Sequence, residues 1–297
     1  MVIIQNKPLV SIGMPVYNGE QHIESALDSL MNQDYENFEL IISDNASSDR
    51  TQQICLEYAS RFKHIRYFRN DRNIGATSNF IRVLNLAHGD YFMWSACDDF
   101  WMPKFASTMV AELQLYPEAS VAMSAVKRLK EDLALYDIVQ YQDKDNPNNM
   151  TYLKLALALA VGKPYHLYIY GMYRTDFLRK ACNSFPDVIA SDRLVICQIA
   201  LATKFRFNSE ILYVRKVNQI PLSERYWDDP IGLLWRDKFR LEKMVMAVGP
   251  YLAKSKVIPL TRKLYIPLVV LSFFVKNVLY LRALQIVRFV RSKFSRG

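Results

Sequence analysis

Glycine-rich phosphate loops are missing from this sequence. No Gly-x-Gly-x-x-Gly follows the first apolar run and no Gly-Lys-Ser occurs, so dinucleotide and P-loop modes of holding a phosphate lose their main support. The four cysteines, Cys55, Cys97, Cys182 and Cys197, form no close pair and no zinc-like spacing. That excludes a disulfide framework and a Cys-x-x-Cys site and points to a reducing, cytosolic setting. The positive charge comes with no nucleic-acid reader motif, so nucleic acid is excluded as a partner. No solenoid period is visible. Near the N-terminus, Leu9 to Met14 is too short for a signal sequence and runs into Pro15; it reads as a first strand. The histidines, His22, His64, His88 and His166, are dispersed and read as structural or solvent-facing.

What is present is a chain of 297 residues, half of them apolar, enough for one large core or a core with a smaller appended module. Short apolar runs alternate with segments of helical period from residue 9 to residue 126, the pattern of an α/β sheet with covering helices. Strands are expected at Leu9 to Met14, Phe38 to Ser43, Ile65 to Phe68, Tyr91 to Ser95 and Val121 to Val126. Between them, Ile23, Ala26, Leu27, Leu30 and Met31 share a helical face, as do Ile54, Cys55, Tyr58 and Phe62, and then Phe80, Val83, Leu84 and Ala87. Ser47, Ser48 and Asp49 can cap the second helix, and Gly89 stands after the third, where a left-handed residue is wanted. Residues 137 to 150, rich in Asn and Asp, read as an exposed loop. Beyond it the chain reads as helical at Leu153 to Leu159, extended from Tyr165 to Tyr173, and helical again around Asp192.

Open α/β sheets bind ligands beyond the carboxyl ends of their strands. The residues standing there are Pro15 to Asn18, Asp44 to Asp49, Asn70 to Gly75, and Ala96 to Asp99. Asp44 to Asp49 reads equally well as a turn and helix cap, but Asp44 ends a buried strand, where a bare carboxylate is costly unless it binds something. Asp98 and Asp99 are adjacent acids between apolar residues, a pair that a hard divalent cation holding a diphosphate would stabilise; the alternative is a cap for the helix after Pro103.

The residues from Val10 to Trp101 resemble the nucleotide-binding half of family 2 glycosyltransferases with the GT-A fold. The matching elements are Val-Ser-Ile-x-Met-Pro-Val-Tyr-Asn, Ile-Ile-Ser-Asp-Asn-x-Ser-x-Asp, Asn-x-Gly, and Gly-Asp-Tyr followed by Asp-Asp-x-Trp-x-Pro. The resemblance implies a Rossmann-like mixed sheet flanked by helices. It implies that Pro15, Tyr17 and Asn18 line a base and ribose pocket, that Asp44 accepts a hydrogen bond from a base such as uracil, and that Asn73 and Gly75 lie near the donor. Asp98 matches the last acid of the family's Asp-x-Asp motif and would bind Mg²⁺ or Mn²⁺ with the donor diphosphate, supported by Asp99. The first acid of that motif is Ala96 here, so a metal has fewer direct carboxylate ligands.

The second half resembles the family's acceptor region in Tyr170 to Arg174, Ser191 to Leu194 and Ile211 to Arg215. By that resemblance Asp192 is the catalytic base; the alternative is a helix N-cap. Residues 1–126 are thus expected to bind a nucleotide sugar, preferably a UDP-sugar, and residues 127–253 a glycan or lipid-linked acceptor. The expected activity is inverting, metal-dependent hexosyl transfer in cell-envelope polysaccharide synthesis, with a catalytically silent nucleotide-sugar-binding protein as the rival.

The net charge of +9 resides in the tail. Residues 254–297 hold ten Lys or Arg and no acid, which leaves 28 basic against 29 acidic residues before them. Leu264 to Val275 has twelve uncharged residues including Pro267, short of the roughly 20 a bilayer crossing needs. Leu281 to Arg296 interleaves apolar and basic residues. The segment reads either as a basic amphipathic element on the anionic inner face of a membrane or as a terminal helix packed on its own domain.

Overall fold

Strands buried on both faces need helical cover on both sides, and three of the first four strands are of this kind. The computed structural model describes residues 7–130, 132–162, 164–183, 191–217 and 240–276. Strand β1 (Val10–Val16) lies between β2 (Phe38–Asp44) and β4 (Tyr91–Trp94), parallel to both, and β3 (Ile65–Arg69) runs parallel outside β2. Every residue of β2 and β4 is buried. The crossovers are α1 (Ile23–Met31), α2 (Thr51–Arg61) and α3 (Ala76–Leu86). Helix α1 buries Ile23, Ala26, Leu27 and Leu30, the expected helical face.

The rest of the sheet is mixed. After β5 (Phe100–Trp101) and α4 (Phe105–Leu115) come β6 (Ala119–Leu129), β7 (Leu135–Val139), α5 (Tyr152–Ala160), β8 (Met172–Arg174), α6 (Thr175–Cys182), α7 (Ser191–Ala202) and β9 (Lys204–Lys216). The strand order is β3-β2-β1-β4-β8-β6-β9-β5, with β7 paired to β6. Short β8 joins the parallel half to β6, pairing antiparallel with β4 and β6.

The chain clusters into two compact units, and their boundaries are not those of a linear division at 126 and 253. The first comprises Met1–Met150, Leu167–Asn183 and Thr203–Pro221 and holds the sheet. The second comprises Thr151–His166, Ser184–Ala202 and Leu222–Gly297 and is helical where described, with α5, α7, α8 (Arg240–Lys254), α9 (Leu260–Lys263) and α10 (Ile266–Phe274). Its helix ends are tied by side chains. Thr151 accepts the Lys154 N–H at the start of α5. Arg193 donates to the Leu159 and Ala160 carbonyls at the end of α5, and Arg262 to those of Leu201 and Ala202 at the end of α7.

Several expectations need correction. Residues 137–139 are strand, not loop: Arg128 and Asp137 face each other across the β6–β7 register and form a two-pronged ion pair. The stretch Pro164–Tyr170 is a 3₁₀ helix, not extended chain; here the buried Tyr168 hydroxyl donates to the Arg206 carbonyl at 3.0 Å, and only Met172–Arg174 is strand. Gly89 does not adopt a left-handed conformation. It is required by contact, since a Cβ there would lie 2.5 Å from the Leu9 carbonyl oxygen.

Glu39 staples the edge of the sheet remote from the strands' carboxyl ends. Its Oε1 accepts from Ser11 Oγ at 2.6 Å and the His88 N–H at 2.7 Å, and its Oε2 from Arg66 Nη1 at 2.6 Å. Burial works to raise its pKa, but these donors and the Arg66 charge outweigh burial and hold it below the usual 4.5. A depressed carboxylate stabilises the fold above its unfolded pKa and loses that contribution as pH falls through the folded value. Glu39→Gln should therefore lower unfolding free energy by about 2 kcal/mol at pH 7, with the deficit shrinking below pH ~4, as read by urea denaturation at both ends of that range.

Candidate active site

The loops after β1 and β2 are laced together by short polar side chains. The Asn45 N–H donates to the Val16 carbonyl at 2.8 Å. Asn18 sits at φ 50°, a left-handed conformation that Asn tolerates better than most residues. Its N–H donates to Ser47 Oγ at 2.9 Å and its Oδ1 accepts the Ser48 N–H at 2.9 Å. Asp49, expected only to cap α2, accepts the Thr51 N–H there and also the Glu20 N–H of the facing loop, both at 3.0 Å. Ser47 and Ser48 serve the loops rather than the helix end. Pro15 lies at the end of β1, and Tyr17 and Asn18 are the exposed residues that follow.

Asp44, the last residue of β2, has no exposed surface. Its Oδ1 accepts the Ser47 N–H at 2.8 Å, and its Oδ2 accepts the Tyr67 hydroxyl at 2.7 Å and Arg69 Nη1 at 2.5 Å. Both Tyr67 and Arg69 come from β3, whose register sets Arg69 beside Asp44. Burial and the neighbouring Asp44 push the Tyr67 phenol well above its ordinary pKa, so it stays a donor. Of the three partners Arg69 is the exposed one, and its side chain is 34 % exposed.

A chain of asparagines joins the loops after β2 and β3. Asn45 donates to Asn73 Oδ1 at 2.8 Å and accepts from Asn70 and from the Ile74 N–H, each at 2.9 Å. Asn73 Oδ1 also accepts the Gly75 N–H at 2.8 Å. Gly75, at φ 85°, turns the chain into α3 through a backbone region that L side chains rarely adopt.

After β4 the two acids have different surroundings. Asp99 is 2 % exposed, and both its oxygens are taken by β9: Oδ2 accepts the Tyr213 hydroxyl and Oδ1 the Lys216 N–H at 3.1 Å. Burial and the charge of Asp98 push its pKa up to about 7, against the opposing pull of Arg215 and these hydrogen bonds. Asp98 is half-buried and makes no hydrogen bond or ion pair with the described residues. Neither acid caps α4, whose Phe105 N–H bonds to the Met102 carbonyl. The thiol of the preceding Cys97 is pushed up to about 12 by burial and by both aspartates, which keeps it neutral.

Arg215 completes this corner. Burial disfavours its charge, but Tyr170, Tyr213, Asp99 and Asp98 outweigh that and hold it protonated, and its guanidinium lies 5.3 Å from the centre of the Tyr170 ring. Trp101 stacks on Tyr213 at 4.3 Å between ring centroids and donates to Ser95 Oγ at 2.9 Å.

The donor set decides what metal could fit. Ala96 offers no ligand, Asp99 is engaged, and among the described residues no group of three or more His, Cys, Asp or Glu converges to hold a cation. Asp98 with its unengaged carboxylate suits a hard cation that arrives with substrate phosphates and takes most of its oxygens from them. It does not suit an all-protein cage.

Eight of the expected residues, Pro15, Tyr17, Asn18, Asp44, Asn73, Gly75, Asp98 and Asp99, thus stand in the first unit at the carboxyl ends of β1 to β4. Asp192 belongs to the second unit, in the first turn of α7, and makes no hydrogen bond or ion pair with the described residues. Sequence reasoning missed Tyr67, Arg69 and the Asn45–Asn70 links. It quoted Tyr213 and Arg215 without their tie to Asp99.

A sheet whose parallel half gathers acids and amides at its carboxyl edge has the arrangement by which open α/β sheets meet ligands, and the chain shares the GT-A fold of solved glycosyltransferases. The sequence profile of glycosyl transferase family 2 matches residues 11–181, and the chain belongs to that family. It is 34 % identical over 140 residues to the putative colanic acid biosynthesis glycosyl transferase WcaA of Escherichia coli K12, covering 45 % of this chain and 50 % of that one. It is also 35 % identical over 96 residues to an uncharacterized glycosyltransferase of Rickettsia typhi, covering 32 % of this chain and 29 % of the relative. The chain thus spans between 15 % and 50 % of the length of the curated relatives it matches. Among solved structures, S. aureus TarS 1-349 in complex with UDP-GlcNAc superposes with a TM-score of 0.68 at 19 % identity, over 90 % of this chain and 72 % of that one. The mannosyltransferase PcManGT from Pyrobaculum calidifontis, in complex with GDP-Man and Mn²⁺, gives 0.54 at 18 % identity, over 92 % and 88 %.

Removing the Asp44 carboxylate leaves the Tyr67 hydroxyl and the Ser47 N–H without an acceptor, while Arg69 can reach water. Asp44→Ala and Arg69→Ala, the latter leaving a fully buried carboxylate without its counter-charge, should each destabilise the fold by about 3 kcal/mol in chemical denaturation, whereas Tyr67→Phe, which removes one of the three donors, should cost about 1 kcal/mol. A loss in Tyr67→Phe as large as that in Asp44→Ala would contradict the assignment of Asp44 as the shared acceptor.

Proposed function

We propose that this chain transfers a sugar from a nucleoside-diphosphate sugar, preferably a UDP-sugar, to a hydroxyl of a glycan or lipid-linked acceptor, with inversion. The observation that carries this reading is Asp98, an acid with no hydrogen bond or ion pair among the described residues, beside the buried Asp99 and the half-buried, protonated Arg215. The likeness to structures holding UDP-GlcNAc and GDP-Man supports a donor of that class.

In this reading Pro15, Tyr17 and Asn18 flank the base and ribose, and Asn73 and Gly75 lie beside the donor. The Asp44 oxygens are already engaged by protein donors, so a base N–H reaches Asp44 by displacing Arg69, its most exposed partner. Asp98 would hold Mg²⁺ or Mn²⁺, whose charge, when bound, neutralises the departing diphosphate. Asp99 acts through position: tied to Tyr213 and Lys216, it fixes the turn that carries Asp98. Arg215 adds a fixed positive charge for the diphosphate, offsetting the carboxylate that Ala96 lacks.

Asp192 serves as general base. The acceptor oxygen attacks the anomeric carbon, its proton passes to Asp192, and the bond from that carbon to the diphosphate oxygen breaks with its electron pair. A single displacement of this kind inverts the anomeric centre.

A catalytically silent nucleotide-sugar-binding protein is the second reading, favoured by Ala96 and by the engagement of Asp99. Steady-state transfer or donor hydrolysis separates the two. Asp192→Asn should lower kcat by about a hundredfold or more with donor Kd unchanged, and Asp98→Ala should abolish dependence on Mn²⁺. Arg215→Ala should weaken donor binding, with partial recovery in Arg215→Lys. Normal turnover in Asp98→Ala at saturating donor and metal would sink the metal assignment, and donor binding without turnover on any acceptor would favour the silent reading.

A further inference from the structure

Helix α10 buries Ile266, Val269 and Phe273, spaced i, i+3, i+7, and packs with them inside the second unit alongside α5 and α8. Its opposite face is open. Leu264 is 81 % exposed, Leu271 55 %, and Leu268, Phe274 and Val275 are exposed as well. Leu260, on α9, is 83 % exposed, and on α10 and its last residue's neighbour the exposed Leu268, Leu271 and Val275 share the spacing i, i+3, i+7 of one helical face. Between 264 and 275 every exposed residue is apolar; Ser272 is half-buried and bonds back to the Leu268 carbonyl at 3.0 Å. Soluble monomers rarely leave so continuous an apolar face to water.

The charge around the stripe selects its occupant. Lys254 and Lys256 are exposed just before it, and from 254 to 297 the sequence has ten cations and no acid. Two copies meeting through this face would bring two such acid-free cationic segments together. An anionic bilayer surface neutralises them and accepts the leucines into its acyl boundary. No helix among the described residues is long and apolar enough to cross a membrane.

We infer that the α9–α10 face is a lipid-docking surface that lies in the interface of an anionic membrane, with the leucine stripe inward and the lysines at headgroup level. Pro267 stands in the first turn of α10, where the missing N–H costs no helix bond. This surface is independent of the sugar-transfer reading, and either could fail alone.

Co-sedimentation of the full chain with vesicles of phosphatidylcholine, and of phosphatidylcholine mixed with about a third phosphatidylglycerol, tests it. The protein should pellet with the mixed vesicles, weakly with the neutral ones, and less as salt is raised to about 0.5 M. The triple variant Leu264→Gln, Leu268→Gln, Leu271→Gln keeps helix propensity and touches only exposed side chains, so its melting temperature should match the parent's. Its partition onto anionic vesicles should fall by about a hundredfold or more. Failure of the parent to bind anionic vesicles, or equal binding by parent and variant, overturns the proposal. A parent dimer that the triple variant converts to monomer in light scattering also overturns it, assigning the face to a second copy.

Discussion

A carboxylate with no exposed surface, Asp44, holds the ligand edge of the sheet in shape. A charge removed from water must be met by donors, and Asp44 draws its three from the turn that follows β2 and from β3. That demand sets the β2–α2 turn, which in turn gives Ser47 Oγ and the Ser48 N–H to Asn18 on the β1 loop. The asparagine chain from Asn45 through Asn73 extends the same order to the start of α3. Three loops that carry no regular structure are thereby positioned by hydrogen bonds that begin at one buried charge.

A second buried acid does comparable work on the other side of β1. Asp99 ties the end of β4 to β9, more than a hundred residues later in the chain, through Tyr213 and Lys216. Its raised pKa reflects the tension of placing two acids side by side with one of them out of water. Asp98 is left with its oxygens unclaimed by the described residues, and the protonated Arg215 stands near enough to both acids to feel their charge. The fold thus divides the pair: one carboxylate is engaged by β9, and the other keeps its oxygens free of hydrogen bonds from the described residues.

Much of this was legible in the sequence because parallel strands buried on both faces spell out continuous apolar runs that stop at a polar edge. Leu40 to Ser43 followed by Asp44, and Tyr91 to Trp94 followed by Asp98, are such transitions, and the helical faces of α1 to α3 follow from spacing alone. What was not legible is partnership at long range. Nothing local says that Arg69 belongs to Asp44 or Tyr213 to Asp99, since both depend on register. Three-residue β8 is too short to announce itself by alternation, and its place between β4 and β6 follows from the sheet. Gly89 was misread because tight backbone contact and left-handed conformation both call for glycine. The expectation for Leu281 to Arg296 lies outside the described residues.

Thermal unfolding of the full chain with UDP-, GDP- and other nucleotide sugars, with and without Mn²⁺, asks directly whether the β1–β4 edge holds such a donor. Ligand at a hundred times its Kd stabilises a fold by about 2.7 kcal/mol, enough for a shift of several degrees. The melting temperature should rise with a UDP-sugar and rise further with Mn²⁺, the metal increment disappearing in Asp98→Ala. No shift with any nucleotide sugar, in the presence or absence of metal, would contradict the assignment of that edge as a donor site.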